Sequence, residues 1–268
     1  MEEPPETEYE GVYPDRVNNQ GAVVDHVDFR GARLRAVDFS GALFRGVEFV
    51  GARLVGAEFV DVEIDGNVSN VLVNGVDVAP LVEAELNRRT PERAKMRPED
   101  SDGFREAWGI LERRWAETIA RATTFSEQSL NRRVDGEWSF IQTLRHLNFA
   151  VAAWVNRMVL GEPAPYHALD LPWEEAHELD GVTWDLDARP SLEEVLEVRR
   201  ARDATVREVM VALTDAQLSA TVTRLEPGWP QLEGVPVRRC LRVVVNEEWE
   251  HRRFAERDLT AMEDGASR

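Results

Sequence analysis

Apolar residues recur with two different periods along this chain. Over residues 22–66 the period is five. The segment divides into the units AVVDH, VDFRG, ARLRA, VDFSG, ALFRG, VEFVG, ARLVG, AEFVD and VEIDG. Their central positions are Val24, Phe29, Leu34, Phe39, Phe44, Phe49, Leu54, Phe59 and Ile64, and their first positions are always Ala or Val. A period of five fits neither a helix turn nor the alternation of a strand. It fits a solenoid of square section, each unit forming one side, with the large and small apolar residues pointing inward. Residues 67–89 then read as a short strand, an Asn74-Gly75 turn and a helix from about Ala79, with Pro80 suited to its first turn.

Beyond residue 100 the spacing becomes helical and predicts four long helices. The first carries Phe104, Ala107, Trp108, Leu111, Trp115, Ile119 and Ala122. The second starts near Trp138, capped by Ser139 or Asp135, carries Ile141, Leu144, Leu147, Val151, Trp154, Val155 and Met158, and stops at Gly161. The third follows Pro190-Ser191, and the fourth covers residues 237–262. Short links are expected between the first and second helices and between the third and fourth. Residues 162–190, rich in Pro, Trp and acidic side chains, make a long connection between the second and third; such a length marks a crossover or a functional cover. The expected fold is mainly α with a small β portion: a four-helix bundle with a long crossover between helices two and three, preceded by a short β-solenoid. The expected organisation is a disordered tail over 1–15, the repeat over 16–78, a cap helix and linker over 79–100, and the bundle over 101–268.

Charge and composition narrow the partners. A net charge of −18 on 268 residues argues against nucleic acid and anionic lipid, which both call for basic patches. No stretch approaches the ~20 apolar residues of a membrane span. The acidic, Pro-containing start MEEPPETEYE lacks the basic and apolar parts of a secretory signal. Cys240 is the only cysteine, which excludes an internal disulfide. These features agree on the cytoplasm. All basic residues except Lys95 are arginines, a bias typical of a GC-rich genome.

The candidate chemistry lies on the second and fourth helices. His146 aligns with Phe149, Ala150 and Ala153, and Cys240, Val244, Glu247, His251, Phe254 and Asp258 form one stripe. Glu247 and His251 thus interrupt an otherwise apolar face, and an unpartnered carboxylate there would be costly. His146, Glu247 and His251 together suit a divalent metal with open coordination positions: zinc or iron, with nickel and manganese as further choices. On spacing alone, a buried ion pair of Glu247 with Arg145 or Arg199 is an equal reading. A third is a di-metal site built on Glu248-x-x-His251 and Glu174-x-x-His177. On the third helix Arg199, Arg202 and Asp203 interrupt the apolar face. They either pair with one another or present Arg199 or Arg202 to a substrate carboxylate. No Gly-rich phosphate loop and no Gly-x-Ser-x-Gly elbow is present.

The period-five units resemble the pentapeptide-repeat family, which implies a right-handed quadrilateral β-helix with four units per coil. Nine units then give little more than two coils, whose ends need covering, by a scaffold contact or a second copy in a homodimer. The stretches GEWSFIQTLRHL and NEEWEHRRFAERDL, in that order on the second and fourth helices, resemble the DinB-like family over about residues 103–259. That resemblance implies a four-helix bundle binding a divalent metal through His146 and the pair Glu247 and His251. Glu247 stands where most members carry His; the same His, Glu, His set occurs in the mycothiol-dependent maleylpyruvate isomerase branch, which uses zinc. The implied function is a metal-dependent thiol transferase or isomerase acting on a small molecule, with mycothiol or bacillithiol as cosubstrate. The alternative is a non-enzymatic interaction protein.

Overall fold

The structure, a computed structural model, describes residues 18–134, 136–173, 176, 179 and 181–266. The expected tail over 1–15, the possible cap Asp135 and the pair Glu174 and His177 lie outside these residues. The chain divides into two compact units, one ending at Asp65 and one beginning at Gly66.

In the first unit the period of five is written in the backbone. The fifth residue of every repeat unit has positive φ: His26 (57°), Gly31, Ala36 (51°), Gly41, Gly46, Gly51, Gly56, Asp61 (52°) and Gly66. Most of these positions are glycine because an L side chain is strained in that region. Every second unit also closes a turn. Ala32 N–H donates to Phe29 O at 2.9 Å, Ala42 to Phe39 O at 2.9 Å and Ala52 to Phe49 O at 3.3 Å. Each turn has glycine third, where a type II turn requires positive φ. No described residue of this unit is in a strand. The rings of Phe39 and Phe44 meet edge-on at 5.2 Å, and those of Phe44 and Phe49 at 6.1 Å. The central side chains are nevertheless exposed, Phe29 by 60% and Phe39 by 50%. The inward burial expected from the pattern is therefore corrected: a repeat this short covers each layer from few sides.

The second unit is mainly helical. It opens with the hairpin β1 (Leu72–Val73) and β2 (Val76–Asp77), joined through Asn74 and Gly75, both at positive φ as a two-residue hairpin turn demands. This hairpin belongs to the same compact unit as the helices. It leads straight into α1 (Ala79–Arg89). After a 3₁₀ turn at Pro91–Met96 come α2 (Ser101–Ala122) and the short α3 (Glu127–Leu130). Then α4 (Phe140–Val151) continues as a π-helix over Ala152–Leu160 and ends on left-handed Gly161. Ser139 caps α4 with a complete capping box to Gln142, and Ser191 does the same for α5 (Leu192–Ala212) through Glu194.

The link from α5 to the last helix is longer than the short one expected. It holds α6 (Asp215–Ser219) and an antiparallel hairpin of β3 (Thr221–Arg224) and β4 (Leu232–Pro236), which runs into α7 (Val237–Ala266). The strand is only a TVTR tetrapeptide, too short for its alternation to stand out. α4 packs on α5 and α7, and α2 on the same two helices. Their apolar faces make two cores. One gathers Phe104, Trp108, Leu111, Leu241 and Val244; the other gathers Trp115, Ile141, Leu144, Val195 and Leu259.

Two fully buried arginines on the second helix hold down irregular chain, Arg145 the crossover and Arg157 chiefly the loop that joins the strand at 221–224 to that at 232–236. Arg145 donates to Leu169 O, Asp185 O and Ala188 O. Arg157 donates to Pro163 O, Glu226 O and Pro230 O. Each guanidinium thus satisfies three backbone carbonyls of irregular chain, which would otherwise be buried without donors.

Candidate metal centre

Three ligand atoms, one each from His146, Glu247 and His251, lie within 4.8 Å of one another. His146 comes from the middle of α4; Glu247 and His251 are one turn apart on α7, so both face it. His146 Nε2 is 3.3 Å from Glu247 Oε2, and His251 Nε2 is 3.1 Å from that same oxygen.

The state of His146 is set from the other side of its ring. Nδ1 lies 3.1 Å from Leu171 O. A carbonyl only accepts, so Nδ1 carries the proton. In the neutral ring Nε2 then bears a lone pair aimed at a carboxylate, an arrangement that holds only around a cation. Protons on the imidazoles would satisfy it, and so would a metal. Ligands about 2.0–2.2 Å from a tetrahedral metal stand roughly 3.3–3.6 Å apart, close to the separations found. The Leu171 carbonyl is itself fixed: Leu171 N–H donates to Arg145 O at 3.2 Å, and the Arg145 side chain grips Leu169 O. Backbone and side chain of Arg145 thus place the group that orients the neighbouring histidine.

Trp138 completes the surroundings. Its ring lies 4.6 Å from that of His146 and stacks at 5.8 Å on that of His251. The Glu247 side chain is 30% exposed and that of His251 21%, against 11% for His146. The α7 side is therefore the open one. Burial pushes the Glu247 carboxyl up, but hydrogen bonds from His146 and His251 outweigh it and bring it down to about 2.

The ion-pair reading applies to the adjacent residue. Among the described residues Arg145 donates to carbonyls alone, and Arg199 is bidentate to Glu248, at 3.2 Å and 2.6 Å. Both members are almost fully buried. The guanidinium lies over Trp115 at 4.8 Å, and Trp115 Nε1 donates to Glu248 O. Burial disfavours the Arg199 charge, but Glu248 and Asp203 outweigh that and raise its pKa. The expectation that Arg199 binds a substrate carboxylate is corrected: its fork is filled from within. Arg202 is likewise engaged, donating to Pro165 O at 2.6 Å and to buried Asp170 at 3.3 Å. Glu248, committed to Arg199, is not available for a di-metal site.

Leu171, Trp138 and the positioning role of Arg145 escaped the sequence reading. A backbone carbonyl leaves no residue-type signature. Trp138 stands just outside its helix, before the Ser139 cap, so helical spacing could not assign it a face.

A family model described as the DinB superfamily matches residues 110–255, and one for pentapeptide repeats matches residues 25–61 in eight copies. Neither a curated protein nor a solved structure matches the chain.

Proposed function

The chain belongs to the DinB superfamily, and on that premise we propose that His146, Glu247 and His251 hold one divalent metal, zinc before iron, nickel or manganese. The observation that carries this is the meeting of two imidazole Nε2 atoms on one carboxylate oxygen, with the far nitrogen of His146 already tied to Leu171 O. Two imidazoles and a carboxylate are a sufficient donor set for such an ion and leave positions free for a substrate. On this reading the four long helices α2, α4, α5 and α7 form the bundle that carries the site.

We further propose a thiol transferase or isomerase that joins a small molecule to a low-molecular-weight thiol of the mycothiol or bacillithiol kind. A bound metal would supply Lewis acidity, favouring the thiolate or polarising a substrate carbonyl. The protein's own contribution is placement. Leu171 O holds His146 in one tautomer and one orientation, as outer-shell partners of metal-bound histidines do. Trp138 fixes the planes of both imidazoles and keeps water from their inner side. The exposed edge of Glu247 and His251 is where substrate enters. A thiol-conjugation screen with zinc-loaded protein tests this: turnover abolished by a chelator and by Glu247→Ala supports it, and turnover indifferent to both would refute it.

A second reading is favoured by the exposed centres of the repeat, Phe29, Phe39, Phe44 and Phe49. It makes the repeat unit an interaction module, closed into a right-handed quadrilateral β-helix and covered by a second copy of the chain. Sedimentation of the wild type against Phe39→Asp measures it; a monomeric wild type would exclude the homodimer.

A further inference from the structure

A groove beside the candidate metal centre runs along α7 and is lined by Arg239, Arg242, Val243, Asn246 and Glu247, among others. Arg239, Val243, Asn246 and Glu247 are spaced i, i+4, i+7 and i+8, so they form one stripe of the helix. Glu247, a proposed metal ligand, closes one end, and arginines close the other.

This is a local reversal of sign in a chain of net charge −18. The arginines are not equivalent. Arg238 and Arg242 both pair with Glu99, and Arg242 also donates to Pro98 O at 2.9 Å. Arg239 is exposed and has no hydrogen bond or ion pair among the described residues. On α5, Arg199 and Arg202 have internal partners, whereas the Arg239 guanidinium on α7 has none among the described residues.

We propose that Arg239 is an anion subsite of the same centre, binding the carboxylate at the far end of an extended small molecule whose near end reaches the metal. The inference rests on the metal and thiol reading above. Residues 239 and 247 are eight apart, about 12 Å along a helix axis, so the subsite selects long molecules over short ones. A guanidinium and a carboxylate form a charge-assisted, two-pronged contact, and its geometry favours arginine over lysine.

The test uses the full chain loaded with cobalt in place of zinc. Cobalt absorption reports metal binding by itself, and the thiolate-to-cobalt band reports thiol binding. The probes are mercaptooctanoate, the neutral mercaptooctanol and the short mercaptoacetate. The wild type is expected to bind mercaptooctanoate about ten-fold more tightly than mercaptooctanol, the scale of one charge-assisted contact. Arg239→Ala should abolish that preference, Arg239→Lys should keep part of it, and mercaptoacetate should bind alike in all three proteins. If the preference is absent in the wild type or survives Arg239→Ala, the subsite is wrong while the metal and thiol reading stands. If cobalt binds but no thiol perturbs it, the thiol reading falls and the subsite with it. If cobalt does not bind, the metal reading itself falls.

Discussion

Single side chains in this protein differ in what they satisfy, and so in what their removal should do. Arg199 and Glu248 satisfy each other inside the helical unit. Arg199→Met or Glu248→Leu alone leaves a buried charge without its partner and is expected to cost about 3–5 kcal/mol. The double variant should cost less than Arg199→Met alone, because Glu248 is then no longer left buried without its partner. Chemical denaturation of the three variants checks this. Arg145 satisfies three carbonyls. Arg145→Met is expected to cost more than about 3 kcal/mol, since each orphaned buried carbonyl carries a penalty of its own. It should also weaken metal binding, because Leu171 O would then be held against His146 only through the bond from Leu171 N–H to the backbone oxygen of residue 145. Glu247 has a pH signature. Its carboxyl sits at about 2, below the ordinary value of 4.5. A lowered folded-state pKa stabilises the fold above the ordinary value and loses that contribution as pH falls toward the folded value. In metal-free protein the stability difference between wild type and Glu247→Gln should therefore shrink as pH falls from about 4.5 to about 2. A difference that grows over that window would contradict the assignment.

Secondary structure shows which features the sequence carries openly. The capping boxes at Ser139 and Ser191 begin α4 and α5 within a residue or two of where spacing and capping chemistry place them. The Asn74-Gly75 turn is equally local, and so is the run of left-handed residues at every fifth position. His146, Glu247 and His251 were legible because a polar residue inside an apolar stripe contradicts its own helix. Other features depend on long-range contacts and left no local trace. The β3–β4 hairpin consists of short strands, the π-helical turn of Ala152–Leu160 keeps the apolar character of the α-helix before it, and the closure of Arg199 on Glu248 depends on how α5 and α7 approach. The repeat yields its own prediction. Gly41 sits at φ 70°, with nothing within 4 Å of where a Cβ would stand. Gly41→Val should thus be destabilising through its backbone alone, by about 1–2 kcal/mol, while Ala36→Gly, at φ 51°, should be neutral or mildly stabilising. Unfolding of the repeat followed by denaturant titration distinguishes them.

For the whole molecule, the chain separates into two units, each with its own sequence period, and the candidate chemistry lies wholly in the second. No described helix is long and apolar enough to cross a membrane. Since the ligands all belong to the helical unit, loss of Glu247 is expected to leave the repeat folded. A single fused unfolding transition that moves with metal would show instead that the two units are coupled. The account stands on the claim that His146, Glu247 and His251 share a metal, and elemental analysis of the purified chain after zinc reconstitution and desalting measures that directly. The predicted result is one zinc per chain in the wild type, lost in Glu247→Ala and in His251→Ala, with helix content unchanged. A folded wild type that retains no metal, or variants that retain it in full, would contradict the claim.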